Sequence, residues 1–502
     1  MNNFKFNTPF RVILHPSPAC GRGAGGAGGN VRKLRFIARL FSACLLAGCA
    51  VGPDYQHPKM DLPENWPAKQ GEAIQPVAFA GDRWWNLYAD PVLDKLEDEA
   101  LEHNVDIKVA AARVLETRAQ LGITESDRYP SVNANVRESR TESSLNDTFP
   151  RPATMPRIQN FSHATLDASY ELDLWGKLRR ADEASRAELL AAESAKEAVH
   201  LFLAAQVAQQ YFALLSCDAQ ETVIRRILDG RQERIALNKK RFEVGVISEY
   251  DLHQAEADEA AIQSQLATLI QARNKQETVL ALLLGRSPRE VMNGKLERGS
   301  PGIAVASIPK GLPAELLLRR PDLKEAESRL VALNARIGAA RSQFFPSIVL
   351  TSYLGSESTA FSSLFSGPAG IFQFAASVTQ PIFNADRVEF TVKAAEAQRE
   401  QALAQYQQAV ASAFADVRNA LSEQEAARKI LVSESARSKA LIQAYKQAEL
   451  RYQGAISSRM ELLDVEQNYL QAELNRLDAE RAQRVAVADL FKALGGGWES
   501  SR

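Results

Sequence analysis

The sequence predicts a mixed α+β chain that is mostly α, built by tandem duplication, with very long helices and four short strands. Three observations predict it. One segment recurs in a fixed register in the second half of the chain. Two stretches of nearly 70 residues are almost free of glycine and proline. Four short segments alternate apolar with polar residues.

Composition narrows the class. The 502 residues are 45% hydrophobic and 24% charged, too apolar for a disordered chain. Ala, Leu, Gln, Glu and Arg dominate from about residue 90 onward, a long-helix composition. Four cysteines in this length exclude a disulfide-stapled mini-domain. No uninterrupted apolar run is long enough for a helical membrane span, and the most apolar stretch, Ala198 to Leu215, is broken by His200, Gln206, Gln209 and Gln210.

The N-terminus reads as an address. Val31 to Cys49 is VRKLRFIARLFSACLLAGC, four basic residues followed by an apolar run from Leu40 to Ala47. The run ends in Leu46-Ala47-Gly48-Cys49, which resembles the bacterial lipobox. Small residues there admit a signal peptidase, and the Cys49 thiol is the site for a covalent lipid. The competing reading is a buried cysteine after an ordinary signal. Ala50 follows, where a retention signal for the inner membrane would have Asp, so the resemblance implies the outer membrane. Residues 1–48 hold seven Lys/Arg and no Asp or Glu, and without them the formal charge falls from −1 to −8. An acidic mature chain speaks against a nucleic-acid partner. A formal GxGxxG at Gly23, Gly25 and Gly28 has neither the preceding strand nor the following helix that a dinucleotide loop needs.

The repeat sets the architecture. Asp106 to Ser131 aligns without gaps on Asp322 to Ser347, with nine of 26 positions identical, among them Arg113/Arg329, Gly122/Gly338 and Pro130/Pro346. Farther on, Arg241 matches Arg451, Ser248 matches Ser458, Leu252 matches Leu462 and Glu256 matches Glu466, all at an offset of 210. Each half therefore runs helix, strand, loop, strand, very long helix, turn, long helix. The divisions that follow are an extension and signal at 1–48, a lipidated segment at 49–91, a first repeat at 92–300 and a second at 301–498.

The long helices declare themselves by what they lack. Arg387 to Gln453 has no Gly or Pro, and Lys177 to Val244 has only Gly230. Leu403, Val410, Val417 and Leu431 fall at multiples of seven, with Tyr406, Ala413, Ala420 and Ala427 as the partner seam and Gln424 as a polar interruption. That is a coiled-coil heptad.

The strands show a different period. Ala164, Leu166, Ala168, Tyr170 and Leu172 alternate with His163, Thr165, Asp167, Ser169 and Glu171. Phe372, Phe374, Ala376 and Val378 alternate with Gln373, Ala375, Ser377 and Thr379, and Val132, Ala134 and Val136 with Asn133, Asn135 and Arg137. Ser347 to Ser352 is a more apolar partner. One apolar and one polar face fit a membrane barrel with lipid outside and water inside, and also a half-buried soluble sheet. Four strands leave two edges that lipid does not tolerate, so a barrel demands an oligomer, and three chains give twelve strands. The joining loops, about Glu138 to Asn160 and Gly355 to Gly370, are rich in turn residues.

At this point a resemblance enters. CAVGPDY (Cys49 to Tyr55), DRWWNLYADPVLDKL (Asp82 to Leu96) and LLRRPDLKEAESRLVALNARIGAARSQFFPS (Leu317 to Ser347) resemble the TolC-like outer-membrane efflux protein family, in its OprM/NodT-type lipoprotein branch. The resemblance covers about residues 49–498 with the duplication. It implies a homotrimer whose twelve-stranded outer-membrane β-barrel continues into a periplasmic α-helical coiled-coil tunnel. It also implies an exit duct of a tripartite efflux pump, working with a periplasmic adaptor (membrane fusion) protein and an inner-membrane transporter.

By the same resemblance, the turns RFEVGVISEYDL (Arg241 to Leu252) and RYQGAISSRMEL (Arg451 to Leu462) lie at the far periplasmic end. The adaptor-docking candidates are Gly245, Val246, Ile247 and Ser248 in the first turn. In the second they are Gly454, Ala455, Ile456, Ser457 and Ser458. Asp464 is the gate candidate, as a ring of three like charges, with Arg451 and Tyr452 as the groups holding the closed state. Arg459 lies close enough in sequence to neutralise part of that ring. Gly454 sits one position off the register of Gly245.

Nothing points to catalysis. The six histidines are scattered, HExxH and GxSxG are missing, no Cys/His pair has zinc spacing, and the carboxylates follow helix-surface spacing. Cys217 reads as a small core filler. No cofactor is expected beyond the lipid on Cys49. The alternative to a duct is a lipid-anchored periplasmic coiled-coil scaffold or adaptor without a pore, which has no use for an apolar strand face.

Overall fold

The computed structural model describes residues 50–62, 83–144, 146, 156–300, 302, 318–454 and 456–496. These all belong to one compact unit, Ala50–Arg502. Cys49, the signal and extension at 1–48, and Ala455 lie outside the described residues.

Each half follows the order read from the sequence. The first comprises α1 (Pro91–His103), α2 (Val105–Ser126), β1 (Ser131–Glu142), β2 (Ile158–Glu171), α3 (Lys177–Glu243), α4 (Glu249–Leu283) and the short α5 (Pro288–Asn293). The second comprises α6 (Pro321–Arg341), β3 (Ser347–Ser358), β4 (Gly370–Thr379), α7 (Arg387–Gln453) and α8 (Arg459–Leu494). At 67 residues each, α3 and α7 run for about 100 Å. Both start abruptly after a residue in the left-handed region, Gly176 before α3 and Asp386 before α7.

The strands form one antiparallel sheet in the order β1-β2-β3-β4. Their 10 to 14 residues suit a tilted crossing of a bilayer. The strands outrun the sequence reading: β1 continues to Glu142, β2 starts at Ile158, and β3 reaches Ser358 inside the expected loops. The extension Glu138 to Glu142 is polar on both faces, so period-two patterning could not mark it.

The seam on α7 behaves as read. Tyr406, Val410, Ala413, Val417, Ala420 and Ala427 are buried, while Leu403 and Leu431 are half-buried. The main core gathers Trp84, Trp85 and Tyr88 against Tyr211 and Phe212 of α3 and Leu490 and Phe491 of α8. Trp84 stacks on Phe491 at 5.4 Å between ring centroids. The apolar centre of α3 is long and apolar enough to cross a membrane, yet half of that stretch is buried in the protein. Its Leu203, Val207, Tyr211 and Leu214 lie in this core. Cys217 is half-buried, and burial pushes its thiol up.

Residues 50–62 form a strap across both repeats. Val51 N donates to Trp175 O at 3.0 Å, Asn334 Nδ2 donates to Pro53 O at 2.9 Å, and Arg180 pairs with Asp54 at 2.6 Å. Tyr55 and His57 both reach the Glu327 carboxylate, at 3.0 and 2.7 Å. At the crossing with α6 no side chain fits: a Cβ on Gly52 would stand 2.4 Å from Gly338 Cα. Gly122, the partner of Gly338 in the first repeat, faces open space.

Candidate functional site: the hairpin turns and the strand wall

Duplication makes one turn twice. Val246 N donates to Arg241 O and Ile456 N donates to Arg451 O, each at 2.8 Å. These bonds close the last turns of α3 and α7 around carbonyls that a helix end leaves open. Gly245 takes φ +72°, which a glycine adopts without strain, and a Cβ there would meet nothing. Gly454, one position off, has an ordinary φ of −80°.

Ser248 and Ser458 each have a local task. Ser248 caps α4 reciprocally: Asp251 N donates to its Oγ at 3.2 Å, and Ser248 Oγ donates to Asp251 Oδ2 at 2.7 Å. The bonds that Ser248 Oγ and Ser248 N donate to the Asp251 carboxylate hold it below its ordinary value. Ser458 caps α8 through Glu461 N at 3.2 Å. The apolar residues are the ones offered outward: Val244, Val246, Tyr250, Ile456 and Met460 are each at least 69% exposed. Ile247 and Ser457 are half-buried.

The gate candidates stand apart from one another. Asp464 is exposed and makes no hydrogen bond or ion pair among the described residues. Arg451 pairs with Glu461 at 3.4 Å, and Tyr452 lines a pocket between the hairpins. Arg459 turns away from Asp464. It donates to the Asp251 carbonyl and lies 3.6 Å from Asp258, tying the start of α8 to α4.

A stronger tie sits behind the turns and was not legible in the spacing. Glu466 on α8 is fully buried, 2.7 Å from Arg234 and 3.5 Å from Arg231, both on α3. Arg234 also reaches Tyr445 of α7 at 3.3 Å. Glu256, its counterpart in the first repeat, lies on the surface beside His253 and Lys239. The expectation that carboxylates follow surface spacing fails at Glu466, and again at the buried Glu97 of α1. Paired cations on a neighbouring helix make the first burial tolerable. No linear pattern on α8 carries that information.

At the other end, the register aligns the two strand faces across the whole sheet. Val132, Ala168, Ser352 and Phe374 form one row, and Ala134, Leu166, Leu354 and Phe372 another on the same face. Val132, Leu166, Leu354, Phe372 and Phe374 are at least half exposed in the single chain. The opposite face carries Asn133, Asp167, Tyr353 and Gln373 in one row and Arg137, His163 and Glu357 in another. One apolar face and one polar face are what lipid outside and water inside require. Among the described residues, no group of three or more His, Cys, Asp or Glu is placed to hold a metal ion.

Comparison with known proteins agrees with this geometry. The chain matches the family described as outer membrane efflux protein over residues 96–286 and 312–496. It is 35% identical over 472 residues to the probable outer membrane lipoprotein SilC of Salmonella typhimurium, covering 93% of this chain and 99% of that protein. It is 34% identical over 464 residues to the cation efflux system protein CusC of Escherichia coli K12, covering 91% and 98%. Among solved structures, the CmeC outer membrane channel of Campylobacter jejuni superimposes with a TM-score of 0.84 at 27% identity, covering 90% of this chain and 96% of that one.

Proposed function

The chain belongs to the outer membrane efflux protein family, and from that premise we propose how its repeats build and close the duct. It is an outer-membrane channel, the exit duct of an efflux pump. The observation that carries this reading is the alignment of one apolar and one polar face across four strands that continue into helices of about 100 Å. A poreless scaffold has no use for such a face.

In this reading the chain is a homotrimer. β1 and β4 each have one unpaired edge, and pairing β4 of one copy with β1 of the next closes twelve strands. The helices support the same closure. α6 packs on both long helices, α3 and α7, whereas α2 packs on α3. Repeat symmetry gives α2 its second long helix from a neighbouring copy.

The turns at Gly245–Ser248 and Gly454–Ser458 dock a helical hairpin of a periplasmic adaptor. Their exposed Val246 and Ile456 supply the apolar contact, and an inner-membrane transporter feeds the tunnel. Asp464, repeated three times around the axis, narrows the entrance electrostatically. Arg451 and Tyr452 line the same end, and the Arg459–Asp258 and Arg234–Glu466 ties hold the hairpins in the closed state. Cys49 carries the lipid. Its neighbour Ala50 abuts Gly176 where β2 gives way to α3, the level at which a membrane face would lie. The duct moves cargo passively and performs no chemistry.

Electron microscopy of the detergent-purified mature protein tests the reading. The expected particle is hollow, three-fold, and about 130 Å or more tall, from a helical tunnel plus a barrel. Solid rods or monomers would overturn it.

A further inference from the structure

At the joint between sheet and helices, a pocket of about 250 Å³ is lined by Leu172, Trp175, Phe345, Pro346 and Pro381 together with the base of the sheet. The strand residues in its lining are Glu171, Ser347 and Thr379. The register puts all three on the polar face: Ser347 pairs with Thr379, and Glu171 pairs with Val349, two residues from Ser347. The pocket therefore opens on the water side of the sheet. An aromatic lining is out of place there, because the same face carries Asn133, Asp167, Tyr353 and Gln373 in a row higher up. Apolar surface left facing water in this way marks a contact site.

The aromatic pair is fixed in position. Trp175 stacks on Phe345 at 4.7 Å between ring centroids, and its Nε1 donates to Pro346 O at 2.8 Å. Both residues stay partly open to solvent. The charges around them cancel. Lys177 pairs with Glu171 at 3.0 Å, and the Asp173 carboxylate accepts from Leu178 N, Arg179 N and Arg179 Nε at the start of α3. With each lining charge paired inside the chain, the complementary occupant is neutral. Gln343 at the rim is exposed and its amide makes no hydrogen bond among the described residues, which leaves it for one polar atom of that occupant. Size sets the rest. An apolar cavity of about 150 Å³ holds one benzene, so this one admits one or two fused rings. Glu171, Lys177 and Gln343 also line a groove of about 610 Å³ between α3, α6 and α7, which gives a path in. Ala385 stands at the repeat position of Trp175, so the second half does not copy the pair.

We propose that this pocket binds an uncharged planar aromatic molecule, one per chain, inside the duct. The ring lies against Trp175 and Phe345, and Gln343 takes its polar atom. The pocket stands on its own lining, while its place inside a duct rests on the reading above.

The test titrates indole into the detergent-purified mature protein by calorimetry, with the heat of titrating empty micelles subtracted. Indole-3-acetate and tryptamine carry the same ring with a negative or a positive charge, and cyclohexanol is neutral without being planar. Indole should saturate one site per chain and bind about three- to tenfold more tightly than cyclohexanol, the value of an aromatic pair beyond its area. Both charged analogues should bind more weakly than indole, since they lose water without gaining a free counter-charge. Trp175→Ala should weaken indole about tenfold. Trp175 also anchors the strap, so a second variant fills the pocket from the sheet instead. Thr379 is exposed and its side chain makes no hydrogen bond among the described residues. Thr379→Trp should keep the circular dichroism of the parent and abolish saturation. Absence of saturable indole binding, a comparator binding as tightly as indole, or an unchanged affinity in Thr379→Trp would overturn the proposal. A hollow three-fold particle that fails to bind indole would remove the site and leave the duct. Saturable binding on particles without a pore would keep the pocket and overturn its place in a duct.

Discussion

The Glu466 carboxylate, fully buried on α8, accepts a 2.7 Å hydrogen bond from Arg234 on α3, so one buried ion pair ties the second hairpin to the first. Glu466 also lies 3.5 Å from Arg231, so removing the carboxylate leaves two guanidinium groups without it. Glu466→Ala should therefore destabilise the protein by about 3–5 kcal/mol, read as a lowered midpoint in thermal denaturation. Replacing Arg231, Arg234 and Glu466 together with apolar residues of similar volume should recover most of that loss.

The strap crossing gives a paired prediction. Gly338→Ala places a Cβ 2.6 Å from Val51 O and should loosen the strap, measured as faster proteolysis near residues 50–62. Gly122→Ala, at the duplicated position, meets open space within the chain. It should be neutral or stabilise α2 by up to about 1 kcal/mol.

Glu97 is buried on α1, and neither carboxylate oxygen has a hydrogen-bond partner. Burial pushes its carboxyl well above its ordinary value of 4.5, with Asp98 and Asp94 adding to the shift. The folded state therefore holds a proton that the unfolded state releases. Stability is fully present below about pH 4.5 and is lost as pH rises toward the raised value. Glu97→Gln should flatten that slope and raise stability at pH 8 by on the order of 1–3 kcal/mol. Denaturation midpoints across pH 4–8, with the two proteins side by side, check it.

Asp464 tests the gate without disturbing the fold, since the described residues give it no partner. Asp464→Ala should raise bilayer conductance or weaken cation selectivity. Unchanged currents in both respects would remove the role assigned to it.

For docking, Val246→Asp with Ile456→Asp should leave the oligomer intact and abolish export in cells that hold the complete pump. A charged residue there desolvates at a cost against any apolar hairpin. Intact export would refute the turns as the docking surface.

Much of this molecule is written in linear patterns, because its elements are long and regular. The end of α7 at Gln453 coincides with the end of a Gly- and Pro-free run that opens at Ile382, shortly before the helix starts at Arg387. The alternation at Val132 to Val136 and Phe372 to Val378 placed both strand faces correctly, since a period of two leaves one choice of face. The relations between hairpins were hidden. Arg459 sits five residues before Asp464 in sequence, but on α8 it turns toward Asp258 of α4. Glu466 has the same type and repeat position as the half-buried Glu256, which pairs with Lys239 and His253, whereas Glu466 meets the guanidinium groups of α3. Side-chain pairing across elements far apart in sequence leaves no trace in the local period of either one.

The unbroken length of α7 has a mechanical consequence. A helix of 67 residues without Gly or Pro has no built-in hinge, so a change at one end reaches the other as rotation of a stiff lever. Over about 100 Å, a pivot of about 5° at the strand end sweeps the far turn through roughly 9 Å. An aperture can thus be worked by an angular change small enough to leave the packing at the fulcrum nearly untouched.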